Sequence, residues 1–216
     1  IFAGKEYFPP SGTQWKTSYN GLNELVKQNR LIIEGNSVRY KYYFKDYPIS
    51  AMGNYWPSIG AAGNKQYVVQ TNNEIVNRCL LMTSDPGDLI LDPTCGSGTS
   101  AFVSELLGRR WITIDTSRIA LNIAKQRLTT ANYSYFKLND IENVDIRQGF
   151  KYKTAIHRTL GSITNNEPIP EEVLYDQPEI DKKKLRVSGP FTVETLQNFE
   201  PLNPESLDDG TQKSED

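Results

Sequence analysis

Apolar and polar positions change their period along the chain, and the changes divide it into four stretches. Residues 1–66 hold short aromatic-rich pieces between turn formers. Pro9-Pro10-Ser11-Gly12 is a turn, and Gly21 to Gln28 has the spacing of a helix. Leu31-Ile32-Ile33 and Tyr40-Lys41-Tyr42-Tyr43-Phe44 read as short strands around a Gly35-Asn36 turn. Residues 67–145 alternate helix and strand patterns, which predicts a parallel α/β sheet. Thr71-Asn72-Asn73-Glu74 has the form of a capping box. Ile75, Val76, Cys79 and Leu80 then share one apolar face, with Cys79 as core filler, and Asp85-Pro86-Gly87 stops the helix. Leu89-Ile90-Leu91 reads as a buried strand. Phe102, Val103, Leu106 and Leu107 mark a second helix that Gly108 ends, and Trp111 to Ile114 is the next strand. Ile119, Ala120, Ile123, Ala124 and Leu128 stripe a third helix. Right-handed crossovers between these units place Asp92 and Asp115 at one edge of the sheet. Residues 146–197 carry sparse extended segments, Val173 to Tyr175, Leu185 to Val187 and Phe191 to Val193. The Ser188-Gly189-Pro190 turn between the last two predicts a small β appendage.

Composition narrows the class. A chain of 216 residues suits one domain with a substantial core plus an appendage. No apolar stretch approaches the roughly 20 residues that a spanning helix needs, and no secretory leader is expected. Cys79 and Cys95 give neither a disulfide framework nor a metal set, and His157 has no clustered ligands at metal spacing. The net charge of −2 is uneven: beyond Glu194 six acids face Lys213 alone, a net −5, which leaves +3 on residues 1–194. The acidic stretch from about residue 198 is expected to be loosely ordered.

The densest chemistry lies at Asp92-Pro93-Thr94-Cys95-Gly96-Ser97-Gly98-Thr99, where an apolar strand ends on an acid and a glycine turn leads into a helix. In open α/β sheets that junction binds nucleotide-like ligands. Gly96-Ser97-Gly98-Thr99-Ser100-Ala101 also mimics the Gly-x-Gly-x-x-Ala dinucleotide fingerprint. Asp92 argues against that alternative, because it would repel a pyrophosphate and attract an ammonium group instead.

This stretch resembles the Asp-Pro-Phe-Cys-Gly-Ser-Gly-Thr signature of S-adenosylmethionine-dependent DNA amino-methyltransferases, with Thr94 in place of Phe. Leu107-Gly108-Arg109-Arg110-Trp111-Ile112-Thr113-Ile114-Asp115 is similar to a second family element, whose acid holds the cofactor ribose. Tyr67 and Gln70 match the segment that precedes the first helix, while Thr71 and Asn72 stand where the family has Lys and Pro. The resemblance is clearest from about Tyr67 to Leu128.

The resemblance implies a Rossmann-like class I methyltransferase fold, present as a partial doubly wound α/β sheet. The implied domains are the end of a target-recognition region (1–66), an S-adenosylmethionine-binding core (67–145), the β appendage (146–197) and the acidic tail (198–216). The implied activity is methyl transfer to the exocyclic amine of adenine (N6), or of cytosine (N4), in double-stranded DNA. Asp92, Pro93, Thr94, Cys95, Gly96, Ser97, Gly98, Thr99, Asp115, Tyr67, Gln70 and Thr71 are the implied cofactor contacts. Asn139-Asp140, ending a third strand, would touch the adenine ring.

The family's Asp/Asn/Ser-Pro-Pro-aromatic catalytic element does not occur in this sequence. Tyr7-Phe8-Pro9-Pro10-Ser11 places an aromatic before its proline pair and cannot orient an amine. Because a permuted subgroup puts that element first, the chain is expected to be a C-terminal part that needs a catalytic half or a partner subunit. The alternative is a non-catalytic cofactor-binding or DNA-recognition subunit. A restriction endonuclease partner and a cytoplasmic, nucleoid-associated place in a prokaryote go with the resemblance, and no membrane role does. Finally, Trp15 and Lys16, then Arg39, Tyr40, Lys41, Tyr42, Tyr43 and Lys45, alternate rings with cations, as a DNA-contacting surface would. A half-buried strand would carry the same pattern.

Overall fold

The computed structural model describes residues 1–63, 65, 67–140, 142 and 145–195. The expected acidic tail lies outside them. Among the described residues, no helix is long and apolar enough to cross a membrane.

The N-terminal unit is helix α1 (Tyr19–Lys27), capped by the Ser18 hydroxyl, followed by a β1 (Leu31–Glu34), β2 (Ser37–Tyr40) hairpin. The expected hairpin is present, but Tyr42 to Phe44 do not extend β2. The chain turns instead through a single 3₁₀ turn, Phe44–Asp46. Asp46 causes that turn. It is fully buried, receives two hydrogen bonds from the Arg30 guanidinium at 2.6 and 2.8 Å, and accepts the Tyr43 N–H at 2.8 Å. Leu25 and Leu31 bury with Ile163 from the short helix α5 (Leu160–Thr164), so this unit rests on a distant part of the chain.

Helix α2 (Asn73–Thr83) starts one residue later than a Thr71 cap would give. Asn72 is the cap: its Oδ1 accepts the Glu74 N–H at 2.9 Å while its Nδ2 donates to the Gly60 carbonyl at 3.0 Å. Glu74 turns to Arg78 (2.9 Å) instead of closing the box. Cys79 is exposed, not core filler. The face packed on the next helix centres on Val76, Leu80 and Leu81, and Cys79 sits about 100° off Leu80.

Strand β3 (Leu89–Asp92), helix α3 (Thr99–Leu106) and strand β4 (Arg110–Thr113) make one β-α-β unit, with β3 and β4 parallel and Leu91 beside Ile112. Helix α4 (Arg118–Thr130) follows, then β5 (Tyr133–Phe136). Val103 and Leu107 of α3 and its C-terminal turn bury against Leu80 on the inner side. The outer face of this pair is bare, contrary to a strand buried on both sides. Leu89, Leu91, Ile112 and Ile114 are 52, 63, 50 and 52% exposed, whereas parallel sheets are covered on both faces. Among the described residues the parallel sheet is this single pair.

Beyond β5 lie β6 (Tyr152–Ile156), β7 (Glu171–Pro178) and β8 (Ile180–Arg186). β7 and β8 form one long arm, pairing antiparallel first with β6 and then with β5. Phe191 to Val193 is not a strand, because Phe191 leaves the arm to set its ring against Trp111 at 5.4 Å. Asn139 and Asp140 come after β5 has ended, and the Asn139 N–H bonds the Gly149 carbonyl at 3.0 Å.

The Arg30 hydrogen bonds hold the Asp46 carboxyl below its ordinary range. A depressed carboxyl adds stability that is present above the unfolded value of about 3.9 and lost as pH falls through the folded one. Asp46→Asn leaves a buried guanidinium without its counter-ion and is expected to cost roughly 3–5 kcal/mol. Urea titration at neutral pH measures it, and the variant's stability should depend less on pH between about 5 and 3.

Candidate cofactor site

The ends of β3 and β4 carry the site because parallel neighbours finish at the same edge. The Ile114 N–H bonds the Asp92 carbonyl at 2.8 Å and the Cys95 N–H bonds the Ile114 carbonyl at 3.0 Å, which keeps the two strands in step as the turn begins. Gly96 and Gly98 then adopt left-handed conformations, φ 53 and 74°. At Gly98 a Cβ would stand 2.7 Å from the Ala124 Cβ, so glycine is required both by conformation and by the approach of α4.

Two carboxylates shape the turn. Asp92 Oδ1 accepts the Thr94 N–H at 3.0 Å and its Oδ2 accepts the Ser100 hydroxyl at 2.5 Å. Asp115 Oδ2 accepts the Gly96 N–H at 2.8 Å and its Oδ1 accepts the Ser117 N–H at 2.8 Å. Neither acid is in an ion pair among the described residues. Each oxygen keeps a further lone pair for a ligand. The amides of Thr94 and Gly96, which a pyrophosphate would need, are already taken by carboxylates, and that disfavours a dinucleotide.

The other predicted contacts fall into place unevenly. Pro93 and Thr94 are exposed, while Cys95, Ser97, Gly98 and Thr99 are buried in the turn. Burial pushes the Cys95 thiol up, so it is inert packing rather than a nucleophile. The Tyr67 ring covers the turn, 3.7 Å from where a Gly96 Cβ would be. Gln70 is half-buried, and Thr71 is exposed and does not cap α2.

Two groups were not singled out from sequence. Ser100, a helical residue eight positions after Asp92, orients that acid. Arg127 braces the back of the turn, donating to Thr99 Oγ1 at 3.1 Å, to the Ser97 carbonyl at 3.5 Å and to Asn73 Oδ1 at 2.8 Å. Its guanidinium lies over the Phe102 ring at 4.5 Å, and burial lowers its pKa. The signal for it was a cation inside the apolar stripe of α4, between Ala124 and Leu128.

The residues expected to face DNA are not brought together as one surface. Strand alternation turns Tyr40 inward, where it packs on the Leu25–Leu31 cluster, so it offers no stacking face. Arg39 points out but pairs with Glu34, and Lys41 donates to Asn29 Oδ1 at 3.2 Å. Trp15 is half-buried and Lys16 exposed in the segment before α1.

A family model described as DNA methylase, of the N6/N4 type, matches residues 1–126, more than half of the chain. The chain belongs to the N6/N4 DNA methylase family. Type II methyltransferase M.EcaI of Enterobacter cloacae is similar at 29% identity over 129 residues, which is 57% of this chain and 28% of that protein. Type II methyltransferase M2.DpnII of Streptococcus pneumoniae is 40% identical over 67 residues, 31% of this chain and 25% of that one. The matches span about a quarter of the length of these curated relatives. A crystal structure of an M1.HpyAVI-SAM complex is similar over 30% of this chain and 32% of that chain, at 28% identity and a TM-score of 0.29.

Replacing Arg127 by Met keeps the apolar stem and removes every donor. It is expected to cost about 1–3 kcal/mol, the range for leaving buried acceptors unmade. Amide exchange at Ser97 to Thr99 should quicken more than exchange in β5, and hydrogen-exchange mass spectrometry distinguishes the two.

Proposed function

We propose that this chain is the cofactor-binding part of a methyltransferase that acts on the exocyclic amine of a DNA base, adenine N6 first and cytosine N4 second, with S-adenosylmethionine as donor. One observation carries the reading. Two carboxylates end neighbouring parallel strands, sit in no ion pair among the described residues and shape a turn of two left-handed glycines. In a chain of this family, that arrangement suits a ligand with an ammonium group and sugar hydroxyls. The residues present fit the donor: Asp92 would hold its cationic amino-acid end, Asp115 has lone pairs that would take its hydroxyls, and Tyr67 walls the turn. When bound, S-adenosylmethionine supplies an electrophilic methyl group. The chain's own contribution is to hold that end still and fix its direction, which lowers the barrier by orientation.

The fold reading is that of a Rossmann-like sheet present in part, with residues 67–145 as the cofactor core and 1–66 toward the DNA target. The catalytic element falls to polypeptide beyond these residues. That polypeptide would cover Leu89, Leu91, Ile112 and Ile114, whose exposure is unsuited to a finished parallel sheet. Either a further part of the same enzyme or a separate catalytic subunit meets this need.

Calorimetric titration tests the reading. The chain should bind S-adenosylmethionine and not NAD, and Asp92→Ala should weaken the donor by roughly tenfold or more, as removal of a charged hydrogen-bond partner does. Binding of NAD, or an unchanged affinity in the variant, would overturn it. The chain alone is expected to transfer no tritiated methyl group to duplex DNA; turnover without a second polypeptide would refute the split of roles.

A further inference from the structure

The 3₁₀ turn Phe44–Asp46 is built with more support than a surface turn needs. Beneath it lies the Arg30–Asp46 pair, both side chains nearly or fully buried. From the side, the Arg158 N–H donates to the Asp46 carbonyl at 2.7 Å. On the far flank the Tyr47 ring stacks on the His157 imidazole, centroids 4.0 Å apart, and the Tyr47 hydroxyl donates to Glu172 Oε2 at 2.6 Å. Glu172 also meets His157 Nδ1 at 2.6 Å. A buried ion pair is a poor way to gain stability and a better way to fix one conformation.

That fixed turn presents Phe44, 80% exposed, beside Tyr42, 47% exposed. Lys45 is exposed, with its ammonium 5.7 Å from the Tyr43 ring centroid, and makes no ion pair among the described residues. The exposed Arg158, brought to the turn by its backbone bond to Asp46, likewise makes none. The acids of this neighbourhood are already engaged: Asp46 by Arg30, and Glu172 by Tyr47 and His157. The result is an exposed ring on a rigid support, with Lys45 next in the chain and Arg158 brought to the turn by its backbone, neither cation in an ion pair among the described residues. This is the complement of a nucleic acid, whose phosphates meet cations while an aromatic side chain stacks on or wedges between bases.

We infer that the Phe44–Lys45 tip, with Tyr42 and Arg158, is a docking surface for duplex DNA. The inference deepens the proposed function: Tyr42 and Lys45 already stood in the ring-and-cation pattern of the sequence, while Phe44, and Arg158 from a C-terminal segment outside the family match, are assigned a DNA contact that the pattern did not single out. Cations are the reason for choosing DNA over a protein partner.

Fluorescence anisotropy of the full chain with a short labelled duplex of mixed sequence tests it. The Lys45→Ala, Arg158→Ala double variant should weaken binding several-fold and reduce the log–log salt slope by about 2. Phe44→Ala should weaken binding by roughly fivefold or more with the slope unchanged, and Phe44→Trp should restore it. Lys27→Ala, at a cation already paired with Glu24, serves as the control and should do neither. Wild-type affinity and slope in the tip variants would overturn the inference. So would a wild-type chain that binds no duplex at low salt, or a duplex association indifferent to salt, which excludes phosphate contacts. Titrating S-adenosylmethionine into the same samples keeps the two readings apart. Donor binding without DNA binding sinks the tip alone, and loss of donor binding sinks the cofactor site.

Discussion

The carboxylate of Asp115 reaching back to the Gly96 amide is the bond on which the candidate site depends. It joins the end of β4 to the middle of the turn after β3, so the turn's shape follows from the parallel pairing of two strands. Asp92 does the same from the other end, through the Thr94 amide and the Ser100 hydroxyl. Ionised carboxylates only accept, so donors gather around them. Backbone amides that would face an anion in a phosphate-binding turn therefore face protein acids. The turn keeps the glycine conformations of a nucleotide site while its polarity is reversed.

Half of this reversal is legible in the sequence, because Asp92 ends an apolar run where a pyrophosphate would otherwise lie; the turning of the Thr94 and Gly96 amides to Asp92 and Asp115 is not. The glycine turn, the order of elements and the shared edge follow from local periodicity and crossover handedness. Other features were not legible because they depend on contacts distant in sequence. Arg127 reads as one more cation until α4 packs on α3, from where its guanidinium reaches Asn73, 54 residues away. Tyr40 and Lys41 look alike as ring and cation, and only the hairpin register decides that one faces the core. Asn72 outcompetes Thr71 as a cap through a bond to Gly60 that no helix rule contains.

The same distant contacts carry the packed frame past residue 126, where the family match ends. Arg127 braces the turn. Ile163 completes the core under α1 and β1, and Thr164 bonds Thr17 at 3.2 Å. Arg186 of β8 reaches Glu105 of α3 at 2.6 Å and lies over the Tyr133 ring at 4.9 Å. Burial pushes the Tyr133 hydroxyl up to about 12, as expected for a phenol kept out of water. The β7–β8 arm is thus part of the frame, tied at one end to the core helix and at the other, through Glu172, to Tyr47.

The outer face of the β3–β4 pair has no such tie among the described residues. The inner side of the β3–β4 pair is packed by α3, while four aliphatic side chains on the outer side meet solvent. A parallel pair of four-residue strands gains little from its own hydrogen bonds and relies on layers above and below. Burying four half-exposed aliphatic side chains would contribute on the order of 3–6 kcal/mol, at 1.5–3 kcal/mol for each fully exposed one. That is a large share of the 5–15 kcal/mol that holds a typical domain together. The acids of the site stand at the rim of this same pair, so whatever covers the bare face also bears on the strands that position Asp92 and Asp115. Cofactor binding and completion of the sheet are in that case energetically coupled: a ligand that orders the rim and a layer that orders the strands each lower the cost of the other.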